Sequence, residues 1–62
     1  MLDSIENILQ SRDGYTAEEA KNHVESVREM VDEAIMEGNF FEVDEIIRSE
    51  LGLEPDYIFQ LI

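Results

Sequence analysis

The sequence predicts an all-α fold, a small bundle of three main helices plus a short helix at the C-terminus. Apolar residues recur at helical spacing along most of the chain, and residues that cap helix starts precede these runs, while Gly14, Gly38 and Gly52 stand where runs end. A hydrophobic fraction of 44% matches ordinary globular chains and exceeds that of a disordered acidic tail. At 62 residues there is room for one small core, and with no cysteine and His23 as the lone histidine neither a disulfide nor a metal staple can supplement it.

The first helix is expected over about residues 3–11. Asp3 serves as N-cap with Glu6 at the third helical position, and Leu2, Ile5, Ile8 and Leu9 then fall on one side. The cluster Ser11-Arg12-Asp13-Gly14 should end it, because Asp and Gly favour turns. The second helix, about 17–37, opens on a capping box, Thr16-Ala17-Glu18-Glu19. Ala17, Ala20, Val24, Val27, Val31, Ala34 and Ile35 make its core stripe, and Gly38 closes it. The third, about 40–51, repeats the logic with Asn39 as cap and Glu42 three residues on. Phe40, Val43, Ile46, Ile47 and Leu51 are its expected buried stripe and Gly52 its stop. The short Gly38-Asn39 connection makes an αα-hairpin of the two. Glu54-Pro55-Asp56 starts a final turn or two, about 55–61, since proline suits the first helical position. No repeat or linker interrupts the chain, so one domain, 1–62, is expected.

The capping-box helix that begins Tyr15-Thr16-Ala17-Glu18-Glu19-Ala20, the break at Gly38 and the ending Leu51-Gly52-Leu53-Glu54-Pro55-Asp56-Tyr57-Ile58 resemble small acidic all-helical proteins of bacterial phages and mobile elements. The resemblance covers most of the chain and implies a bacterial or phage-infected cytoplasm. Its motifs are helix punctuation and core residues, so it implies no catalytic or cofactor-binding residue.

Chemistry is sparse. Glu19 and His23 share a helix face, yet a second histidine is missing and the spacing matches no known ligand motif. The serines have only His23 as a candidate base, and the isolated glycines build no phosphate-cradling loop. The expectation is therefore a non-enzyme without cofactor or metal. No apolar run approaches the ~20 residues of a membrane span, and the start Met1-Leu2-Asp3-Ser4 carries no signal-peptide pattern. A cytoplasmic protein that neither crosses nor coats a membrane is expected.

Sixteen acidic residues face only Arg12, Lys21, Arg28 and Arg48, for a formal charge of -12. Such a field repels phosphate backbones and attracts basic surfaces. Direct nucleic-acid binding is thus excluded from the expectation, and a protein partner with a basic, nucleic-acid-binding surface enters it, with inhibition by mimicry as the outcome. On the second helix Glu25, Glu29, Glu33 and Glu37 repeat at i+4, with Asp32 in the same arc. Like-charged neighbours cost a few tenths of a kcal/mol each, so helix stability does not explain the row, although a face kept soluble by charge would. Met36 projects about 20° from Glu25 and Phe41 points away from Val43, which places two apolar side chains on the outside. The expected partner-binding set is therefore Glu25, Glu29, Asp32, Glu33, Met36, Glu37 and Phe41. The competing expectation is a structural homodimer formed through Phe41, Tyr57 and Phe59, with the acids serving solubility alone.

Overall fold

The computed structural model describes residues 3–62, and every regular element among them is helical. Helix α1 spans Ile5–Asp13, α2 Ala17–Met36 and α3 Phe40–Ile46; α3 runs on into a π-helical turn, Ile47–Leu51, and a 3-10 helix, Pro55–Gln60, ends the chain. Leu2, expected in the first stripe, lies outside the described residues.

Local chemistry moves the first helix two residues along the chain. Ser4, not Asp3, is the N-cap: its hydroxyl accepts the backbone N–H of Asn7 at 3.1 Å. The helix then runs two residues past Ser11, to Asp13, the Ser11 hydroxyl donating back to the Asn7 carbonyl at 3.0 Å. Gly14, the last residue of the expected stop, ends it with φ of 73°. The capping box of α2 forms as expected, Thr16 and Glu19 each satisfying the other's backbone amide at 3.1 and 2.9 Å.

At the other end of α2, Gly38 takes φ of 73° and donates to Ile35, while Asn39 donates to Ala34. These two bonds close a Schellman motif. Asn39 does not cap α3; its carboxamide donates to the Glu42 carboxylate at 2.8 Å, so that pair joins side chain to side chain and leaves the helix amides alone.

The interior is formed by Ile5 and Leu9 of α1, Ala20, Val24, Val27, Val31 and Ala34 of α2, Val43 of α3, Ile47 and Leu51 of the π turn, and Leu61. Helix α2 lies against both α1 and α3, and the π turn meets the 3-10 helix. Each fully buried aliphatic side chain contributes about 1.5–3 kcal/mol, which makes this interior the main source of stability. Five expected members depart from it. Ala17 is exposed, and Ile8, Ile35 and Ile46 are only half-buried. Phe40 is 64% exposed: its helical angle is suitable, but it stands in the first turn of the hairpin, where the turn ends and no element covers it.

Long-range polar contacts complete the frame. Arg12 donates to the Leu51 and Gly52 carbonyls at 2.6 and 3.2 Å, and His23 Nε2 lies 2.9 Å from the Glu50 carbonyl. A cationic group at the end of a helix suits the negative pole of its dipole. Gln60 clasps the chain ends, its amide oxygen accepting from Ile5 N–H and its nitrogen donating to the Asp3 carbonyl, both at 2.9 Å. No helix among the described residues is long and apolar enough to cross a membrane.

Candidate protein-binding surface

All sixteen carboxylates occupy exposed positions. A buried carboxylate would need a partner to offset lost hydration, and the interior supplies none. Among the described residues the sole ion pair is Arg12 with Asp13, at 2.9 Å. The hydrogen bonds within it favour both charged forms, which holds the Asp13 carboxyl below the usual carboxylate range and raises the Arg12 guanidinium further. Since Arg12 also caps the π turn, the one neutralised carboxylate belongs to the fold.

The acidic row of α2 does not lie on a single face. Steps of four residues advance about 40° around a helix, so the row winds from the outer side toward α3. Glu25, Glu29 and Asp32 stay on the outside and are exposed. Glu33 and Glu37 arrive at the α2–α3 seam, where with Glu42 and Glu50 they wall a hollow of about 330 Å³. Its floor is Met30, Ala34 and Ile46. The contribution of Glu42 and Glu50 is not recognisable on α2 alone, and follows only once α3 and the π turn after it are folded beside α2. Among the described residues no three His, Asp or Glu side chains form a group able to hold a metal ion.

At the hairpin end the two expected apolar outliers are exposed, Met36 to 87% and Phe41 to 91%. Neither covers α1 or the C-terminal segment. Phe40 joins them there and lines, with Phe41 and Asp44, a second hollow of about 210 Å³. Phe41 and Asp44 also border a third, of about 330 Å³, with Glu45 and Arg48. In this region Asp44 and Arg48 are one helical turn apart yet do not form an ion pair. The C-terminal end exposes Phe59 to 80% while Tyr57 is half-buried.

The seven expected partner-binding residues are thus all at the surface but divide into three places: an outer acidic face, a carboxylate-walled seam and an apolar tip. Comparison of the chain with protein-family models, curated proteins and solved structures finds no match.

Proposed function

We propose that this chain is an acidic protein-interaction module that docks on the basic surface of a nucleic-acid-binding protein and inhibits it, in a bacterial or phage-infected cytoplasm. The observation that carries the reading is the unpaired state of the acids: sixteen exposed carboxylates, of which Asp13 alone is within ion-pair distance of a cation among the described residues. Spaced carboxylates along a helix and across a seam can stand in for a row of phosphates, and a field of this sign accelerates encounter with cationic surfaces. Affinity capture from the source cell at low and at high salt tests it. The expected catch is a nucleic-acid-binding protein that elutes as salt rises, is displaced from the chain by duplex DNA and escapes a variant carrying Glu25→Lys, Glu29→Lys and Glu33→Lys. Tight binding that ignores both salt and charge reversal would refute the proposal.

A second reading rests on the exposed aromatics. Phe41 and Phe59, with Tyr57 beside the latter, could join copies of the chain, the acids then preventing aggregation. Sedimentation decides here, since a strict monomer at high micromolar concentration removes a homo-oligomer.

A further inference from the structure

The apolar tip of the α2–α3 hairpin has a composition that narrows its occupant. Phe40 and Phe41 together expose more aromatic surface than any other pair of neighbours in the chain, and Asp44 lies at the edge of the same hollow. A purely aliphatic side chain seated there would strip water from the Asp44 carboxylate with nothing to replace it. A cation avoids that penalty. Ring faces attract positive charge, and a guanidinium both stacks flat on an aromatic ring and donates to a carboxylate, which an ammonium does less well.

The cation has to come from elsewhere. Arg12 is held by Asp13 and the Leu51 and Gly52 carbonyls, and Arg28 donates to the Gln60 carbonyl at 3.3 Å. Arg48 borders the neighbouring hollow without pairing with Asp44. In a second copy Lys21 and Arg48 alone are uncommitted among the described residues, and that copy carries the same formal charge of -12, so the net field opposes self-docking at the tip. Charge complementarity selects a basic partner instead.

We propose that the hairpin tip is an arginine-receiving site: an arginine of the partner lays its guanidinium over Phe40 and Phe41 and donates to the Asp44 carboxylate. This rests on the reading of the chain as a binder of basic surfaces and adds a point of selectivity to it. The diffuse acidic field draws in any cation; the tip distinguishes arginine from lysine.

Calorimetric titration at low salt with two peptides of equal charge, ten arginines or ten lysines, separates the two claims. The expected result is tighter binding of the arginine peptide, weakened roughly two- to fivefold by Phe41→Ala, the range of an exposed cation–π contact, with little effect on the lysine peptide. Phe41→Trp should retain or strengthen the preference, because indole is the better ring. At 91% exposure Phe41 is not needed for folding, which a circular dichroism spectrum of each variant checks. Equal affinity for both peptides, or an arginine preference unchanged by Phe41→Ala, overturns the arginine site and leaves the electrostatic reading standing. Failure of both peptides to bind overturns both claims. A dimer in sedimentation that Phe41→Ala dissolves also overturns the site, by giving the tip to a second copy.

Discussion

Arg12 shows how a single side chain can join two distant parts of a small fold. It sits in the last turn of α1, carries the Asp13 carboxylate on one edge and donates from the other to the carbonyls that close the π turn. Asp13 thereby steadies the guanidinium in its capping position. Because its folded carboxyl lies below the ordinary value of 3.8, the unfolded chain binds more protons across that interval and stability rises with pH there. The contribution of Asp13 is present above the ordinary value and is lost as pH falls through the depressed one. Urea melts of the wild type and of Asp13→Asn should differ at neutral pH and converge below that window; a constant difference down to pH 2 would contradict it. None of these partners could be read from sequence. Arg12 meets Leu51 and Gly52, Gln60 meets Asp3 and Ile5, and His23 meets Glu50, all across chain separations that local spacing does not encode.

For the elements, the outcome depended on whether a signal was local. The capping box at Thr16, the stop at Gly38 and the proline-led start at Pro55 involve residues within a few positions of one another, and all three formed. Periodicity correctly gave the angular position of Val43, Ile47 and Leu51 but said nothing of what covers them, which is why Phe40 was misplaced. The π winding of Ile47–Leu51 has no counterpart in the apolar pattern; it appears where Gly52 and Leu53 both reach back toward Ile47 and Arg12 draws the last carbonyls. Gly38 gives the cleanest test at this scale. A methyl group added there meets nothing within 4 Å, so replacing it strains only the backbone at φ of 73°. Gly38→Ala should cost about 1–2 kcal/mol in a urea melt, and a value near zero would mean the hairpin turn relaxes out of the left-handed region.

Taken as a whole, the molecule sets its charge against its stability. A domain this short has a few kcal/mol to lose, at about 0.05–0.15 kcal/mol per residue, yet its formal charge is -12 and its longest helix repeats glutamate at i+4. Self-repulsion of that kind weakens a compact state. Glu29 stands between Glu25 and Glu33 on α2, all exposed, so Glu29→Lys converts two repulsive neighbours into attractive ones. The variant should gain on the order of 0.5–1 kcal/mol after solvent screening, visible as a higher melting temperature at low salt that narrows as salt is added. Binding to a basic surface should move the opposite way. A row that lowers stability while raising affinity is what an interaction surface requires, whereas a row serving solubility alone would give Glu29→Lys the stability gain with no loss of binding.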